Sequence, residues 1–389
     1  MNKNLTEKDL ALIAMGYRSN HLPSPKASVL VLCVIVAVIA VLAYRFEPSS
    51  GMDLAKYYSQ IELGNISHYG ADYYGDTQNT DVFITIVMKS IVKYGLSSHV
   101  LGSISAIIYF GLIAKISLLW TRFRAKRVSP VLLFFIFVFS GYFLGFTGIR
   151  YGNACLLLIL SFVYFELGRK YLSLTLSILS VCVHFSLLPL VGIFWGALLL
   201  PKKLIWGLSV VWICLTPWMI PVMQRIQDLF FSLGFVFTPI AGKMNSYIFE
   251  SYGALPWVVR FLVTGETNIE IGTFWAGSRW WVGIGLVSWA ALGVLLFRLK
   301  KEQKMVFERL PIEKIFPLLF AFMVFTIEAP AIPMRTLTIV RYLVILLLLP
   351  MFFCSKSILP KLYFFSITSL ALLATVSGME IVKFILGGY

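Results

Sequence analysis

Charge is what this sequence has least of. Asp, Glu, Lys and Arg make up 13% of its 389 residues, about half the share of a soluble globular chain. Hydrophobic residues reach 59%, which excludes both a soluble domain and a disordered chain. Cysteine is sparse too: Cys33, Cys155, Cys182, Cys214 and Cys354 all stand in apolar runs with no Cys-x-x-Cys pairing, so they read as small core residues rather than a disulfide framework or a metal site. Acidic residues are the scarcer sign, 18 against 33 Lys and Arg, for a net charge of +15. In a soluble protein such an excess suggests nucleic acid. Here the basic residues form short runs between apolar segments, the pattern of membrane topology, so no nucleic-acid partner is expected. There is no GxxxxGK[ST], no dinucleotide fingerprint after a strand, no HExxH and no GxSxG, which leaves ATP-driven transport, redox chemistry, zincin and nucleophile-elbow hydrolysis without support. No internal repeat, low-complexity run or soluble domain boundary interrupts the chain. The first 26 residues are polar and the apolar stretch after them ends at Tyr44-Arg45-Phe46-Glu47, so no cleavable signal peptide is expected.

What is present is a succession of long apolar runs. The length accommodates roughly ten spans of about 20 residues each. Those runs are Ala27–Tyr44, Val100–Trp120, Val128–Phe146, Ile149–Leu167, Leu204–Pro221, Trp280–Phe297, Ile315–Phe325, Leu337–Phe353 and Leu362–Val376. Leu172–Leu200 is too long for one comfortable span and too short for two. The basic runs Arg122–Arg127, Arg169-Lys170, Lys202-Lys203 and Arg298–Lys301 are expected on the cytoplasmic side. Leu172–Leu200 then enters and leaves from one side, as a helical hairpin with its tip near His184 to Pro189. Arms of about 13 residues reach about 20 Å, short of the hydrocarbon thickness of about 30 Å, so the tip is a recessed break. The expectation is an all-α polytopic membrane protein of about 11 segments. It is a single integral membrane domain (residues 1–389) with a cytoplasmic tail (1–26) and two outer loops (45–98 and 222–279). Within the first loop, Val82–Gly95 is too short to cross and carries Lys89 and Lys93 four apart, which suits an interfacial helix; a full span is the alternative.

Polar residues at the outer ends of spans carry whatever chemistry there is, because each is costly there. Arg150 lies in Gly148-Ile149-Arg150-Tyr151-Gly152-Asn153, with a permanently charged fork suited to phosphate or carboxylate; the plain alternative is an arginine that snorkels to headgroups. His184, at the hairpin tip, has the side chain best suited to proton transfer near neutrality, or caps broken-helix backbone. Arg335 and Arg341 flank a span start, and Arg341 lies deep enough to need an anionic ligand or an internal partner such as Glu328. The loop after the first span interleaves acids and tyrosines, Asp53, Tyr57 and Tyr58 among them, as a sugar surface does. An interfacial tyrosine belt is the alternative for most of them, with Asp53 the exception. In the second outer loop Trp275, Arg279, Trp280 and Trp281 are mostly belt-like, with Arg279 a further substrate-binding candidate.

Together, Gly51-x-Asp53-x3-Tyr57-Tyr58, Gly148-Ile149-Arg150-x3-Ala154, Val183-His184-Phe185-Ser186 and the late Arg341-Tyr342 pair resemble the EpsG family, polytopic proteins akin to the Wzy polymerases of O-antigen and exopolysaccharide. The likeness covers about residues 27 to 200 and, more loosely, 315 to 355. Tyr151 departs from the glutamine that follows the arginine in many relatives. The resemblance implies a polymerase of lipid-linked oligosaccharides at the outer face of a bacterial inner membrane, serving lipopolysaccharide, capsule or exopolysaccharide. It is similar to the metal-independent, inverting glycosyltransferases of GT-C-like architecture, with no cofactor. A glycan on polyprenyl (undecaprenyl) diphosphate is transferred to an acceptor sugar hydroxyl, and a chain-length regulator and a flippase are the protein partners so implied. His184 or Asp53 then serves as the base, Arg150 and the arginines near 335 and 341 hold the diphosphate, and Arg279, Tyr57 and Tyr58 contact substrate. The rival readings are a flippase or other transporter, a membrane acyltransferase acting on the polysaccharide, and a ligase.

Overall fold

The computed structural model describes residues 25–48, 52–64, 82–123, 128–140, 143–233, 312–326 and 338–346, with single positions at 241, 332, 336, 362 and 366. Among the described residues all regular structure is helical. The expected spans Trp280–Phe297 and Leu362–Val376, the N-terminal tail and most of the second outer loop lie outside them, apart from single positions.

The chain divides into two compact units. The first comprises residues Met1–Ile66, Asp81–His184 and Ile339–Tyr389. Its helices are α1 (Pro25–Arg45), α2 (Asp53–Glu62), α3 (Val82–Lys93), α4 (His99–Phe123), α5 (Pro130–Ser140), α6 (Ile149–Glu166) and α7 (Lys170–Val183), together with helical residues 339–346 near the C-terminus (α12). Three are long and apolar enough to cross a membrane: Lys26–Arg45, His99–Arg122 and Ile149–Glu166. Lipid offers no hydrogen bonds, so each such segment must satisfy its backbone within itself, and a helix does so.

Side chains then decide how the helices meet. α1 packs on α4 through small residues. The Ser103 hydroxyl donates to the Ala40 carbonyl at 2.8 Å, and a Cβ at Gly102 would run into the Tyr58 hydroxyl and press on the Ala43 carbonyl. Close backbone approach of this kind is how membrane helices gain packing energy without a hydrophobic driving force. α6 is apolar around nearly its whole circumference and buried from Gly152 to Val163, the mark of a central helix. It ends in a left-handed Gly168 (φ 78°). There the Arg169 amide donates to the Tyr164 carbonyl and the Gly168 amide to Phe165, a Schellman turn that starts α7. Ser173 and Ser177 of α7 face Ser161 of α6, whose hydroxyl lies 2.8 Å from the Ser173 carbonyl and 2.7 Å from the Ser177 hydroxyl.

Three boundaries differ from the sequence expectation. The run Val128–Phe146 is not one continuous helix: α5 ends at Ser140 and a 3₁₀ turn covers Phe143–Phe146. The Ser105 hydroxyl fixes that turn by donating to the Phe146 carbonyl at 2.5 Å. The first outer segment holds an unforeseen helix, α2, with Leu54, Tyr57, Tyr58 and Ile61 buried along one face. Val82–Lys93 is helical as expected. The expected break near His184 is present too: α7 ends at Val183, His184 is extended (φ −151°, ψ 106°), and a 3₁₀ turn over Phe185–Leu187 follows.

The second unit comprises residues Ser67–Thr80 and Phe185–Thr338. It contains α8 (Leu188–Leu199), α9 (Lys202–Cys214), α10 (Met219–Ser232) and α11 (Ile312–Phe325). The third difference lies here: the run Leu204–Pro221 is broken, with α9 ending at Cys214 and a 3₁₀ turn over Thr216–Trp218, and α10 carries on as helix into the segment expected as the second outer loop. Met219 and Phe325 form one small buried cluster of this unit, packed by Trp212, Leu215, Val222, Met223 and Ile332. The Lys314 ammonium donates to the Leu200 carbonyl at 2.9 Å, placing a cation at the C-terminus of α8, where the helix dipole favours one.

Candidate functional site

The site gathers at the first turn of α6, within the first unit. That turn begins at Ile149 after Gly148, and no side chain caps it. Its leading amides have no intrahelical acceptors, which makes the turn favourable to negative charge. Arg150 and Tyr151 follow directly. The Arg150 Nη2 lies 3.7 Å from Oδ2 of Asp53, with 16% and 38% of the two side chains exposed. The guanidinium also sits over the Tyr57 ring, 5.7 Å from its centroid, within cation–π range. A separation of 3.7 Å exceeds the 2.7–2.9 Å or so of a charge-assisted hydrogen bond, so Asp53 attracts Arg150 without locking it in a bidentate fork.

α2 brings Asp53 and Tyr57 there. They lie four residues apart, on one face of that helix, and Asp53 begins it, where an acid suits the dipole. The other end of α2 is held to the start of α4, where the Ser98 hydroxyl donates to Oε1 of Glu62 at 2.8 Å. Tyr58 lies against the His99 ring at 5.0 Å, and His99 Nε2 is 3.3 Å from Oε1 of Glu47. Burial, and then the Glu47 charge, push the Tyr58 phenol well above its usual pKa, with Glu62 adding to the rise. The structure therefore uses Tyr58 to seat α2 on α4, and Tyr57 is the tyrosine beside Arg150.

On the neighbouring position, Tyr151 meets His184 edge to face at 5.7 Å and 82°. His184 is 7% exposed and stands in the helix break. Asn153, one turn into α6, is buried and donates through Nδ2 to the Ile149 carbonyl at 2.8 Å. Arg341 belongs to α12 and is partly buried. Its neighbour Tyr342 is fully buried and hydrogen-bonds Tyr109 of α4 at 2.6 Å.

Of the residues expected from sequence, Arg150, Asp53 and Tyr57 are in contact, His184 contacts Tyr151, the residue after Arg150, and Tyr58 packs between α2 and α4. Arg335 and Arg279 lie outside the described residues, as does Glu328, the partner considered for Arg341. Sequence reasoning passed over Tyr109, Glu47 and His99. Tyr109 offered only a lone hydroxyl within an apolar run. Among the described residues, no three His, Cys, Asp or Glu side chains gather as metal ligands.

Apolar helices of spanning length mark a helical membrane protein, and an arginine–acid pair stands at the start of one of them. The sequence model of the EpsG family matches residues 28–385, nearly the whole chain, and the chain belongs to that family. No curated protein and no solved structure matches it. Membership supports a general role in polysaccharide polymerisation by glycosyltransferase-like chemistry.

Proposed function

We propose that this protein joins lipid-linked oligosaccharide repeat units at the outer face of the bacterial cytoplasmic membrane. It is read as a single membrane-embedded domain of about eleven segments in a GT-C-like arrangement, with the N-terminus inside. It works as an inverting, metal-independent transferase. The acceptor hydroxyl oxygen attacks the anomeric carbon of the donor glycan, the bond to the diphosphate breaks, and polyprenyl diphosphate leaves with the electron pair. The product is an O-antigen, capsule or exopolysaccharide chain, with a flippase supplying the units and a chain-length regulator acting beside it.

The observation that carries this reading is the 3.7 Å pairing of Arg150 with Asp53 at the uncapped start of α6. A diphosphate gathers negative charge as it leaves, and a preorganised guanidinium at a helix N-terminus meets that charge where it develops. Asp53 holds Arg150 in place, which leaves His184, on the far side of Tyr151, to take the acceptor proton. Arg341, with Arg335 six residues before it in sequence, supplies the second positive charge.

The test is a polysaccharide gel from cells lacking the gene, complemented with wild type, Arg150→Ala or His184→Ala at matched expression. Both variants are expected to lose the ladder while a single repeat unit remains attached. Ladders of unchanged length and yield from both would overturn the assignment. Loss of every repeat, with lipid-linked units retained on the cytoplasmic side, would make the protein a flippase.

A further inference from the structure

Tyr109 sits within the apolar run of α4 with 2% of its surface exposed. Its ring is so close to two glycines that a Cβ at Gly145 would run into it and one at Gly152 would press on it. A Cβ at Gly152 would also meet the Gly145 carbonyl, so the 3₁₀ turn, the first turn of α6 and the Tyr109 ring form one close-packed contact. The Tyr109 hydroxyl points to Tyr342, 2.6 Å away, and the Tyr342 ring is stacked on Phe137 at 5.5 Å and 21°. A second bond lies further along the same two helices, where Trp120 Nε1 donates to the Leu346 carbonyl at 2.9 Å.

The positions matter more than the contacts alone. Gly152 is two residues after Arg150, and Tyr342 directly follows Arg341. One side chain therefore touches both elements that carry the arginines. A buried hydroxyl-to-hydroxyl bond is worth more than an exposed one, and a bond between two helices fixes their depth and rotation relative to each other.

We propose that Tyr109 is a positioning residue: through its hydroxyl bond to Tyr342 and its ring contact with Gly145 and Gly152, it sets Arg341 relative to the first turn of α6 so that both guanidiniums meet one diphosphate. This rests on the diphosphate reading given above. Tyr109 itself touches no substrate.

The test uses the full chain in lipid nanodiscs and two probes, farnesyl diphosphate and farnesol, followed by the fluorescence of its ten tryptophans. Tyr109→Phe keeps the ring and removes only the hydroxyl. It is expected to weaken farnesyl diphosphate binding by about three- to tenfold, the size of one hydrogen bond, while farnesol binding stays at the wild-type value. Tyr342→Phe reads the same bond from its other end and serves if the first variant does not fold. The double variant is expected to bind no more weakly than the weaker single one, because a single interaction has been removed. Wild-type affinity for farnesyl diphosphate in both single variants would overturn the proposal, as would equal weakening for both probes, which marks a purely structural role. Arg150→Ala separates the two levels. If it leaves farnesyl diphosphate binding intact, the diphosphate reading fails and the positioning role with it. If it weakens binding while both phenylalanine variants bind normally, only the positioning role falls.

Discussion

The two ends of α6 are both polar, and they are polar in different ways. At the C-terminal end Ser161 meets Ser173 and Ser177 of α7, with Ser180 donating to the Ser177 carbonyl at 2.7 Å. These are small neutral groups, fully buried, bonding hydroxyl to hydroxyl or to nearby backbone. At the N-terminal end stand a guanidinium, a carboxylate and an imidazole, with Asp53 still 38% exposed. A buried hydroxyl seam closes on itself and holds two helices together. An ion pair at a separation of 3.7 Å, with its carboxylate 38% exposed, is a charged group open to solvent rather than a closed seam. The contrast separates glue from site on a single helix.

Several substitutions sharpen that contrast, beginning with the largest expected effect after loss of Arg150 itself. Asp53→Asn keeps the shape but removes the charge that orients the guanidinium. Polymer yield on a gel is expected to fall about tenfold, in keeping with what misplacing a binding group does to a rate, with protein level unchanged on a blot. Full yield would mean that Arg150 is held by Tyr57 and the helix start alone. Ser161→Ala removes the central hydroxyl of the seam at the other end. Here thermal unfolding in nanodiscs should register a loss of about 0.6–1.7 kcal/mol, and the polysaccharide ladder should be normal. A shortened ladder would show that the seam transmits to the site through α7 and His184.

The smallest effect is one of pH. The folded state holds the Tyr58 phenol well above its usual value, so above about pH 10 the unfolded chain gives up that proton first. The stabilisation is complete below that pH and declines as the pH rises toward the folded value. Melting temperature between pH 9 and 11 should therefore fall more steeply for wild type than for Tyr58→Phe. Equal slopes would mean that Tyr58 titrates as it does in the unfolded chain.

How much of this could be seen in the sequence varies with the element. α1, α4 and α6 were visible as apolar runs, and the break at His184 followed from a stretch of the wrong length between two basic turns. α2 was missed although Leu54, Tyr57, Tyr58 and Ile61 repeat at helical spacing, because its acids and tyrosines drew attention as individual groups. The early end of α5 was hidden because its run is apolar throughout, and the turn depends on Ser105 and Tyr109 from another helix. In the site, Arg150, Asp53 and His184 stood out by residue type. That Tyr57 rather than Tyr58 meets the arginine depends on the rotation of α2, which its packing on α4 decides.

The sequence alone determined the class of molecule, a helical membrane protein, and where its long helices lie. The reason is local: in lipid each backbone amide must find its acceptor four residues back, so the information sits within a single run. Only the tertiary structure decided which side chains meet. Asp53 pairs with a residue nearly a hundred positions away, and Tyr109 with one 233 positions away. Such partners depend on how each helix is turned and how closely small residues let it approach its neighbour, and no single stretch of sequence contains that.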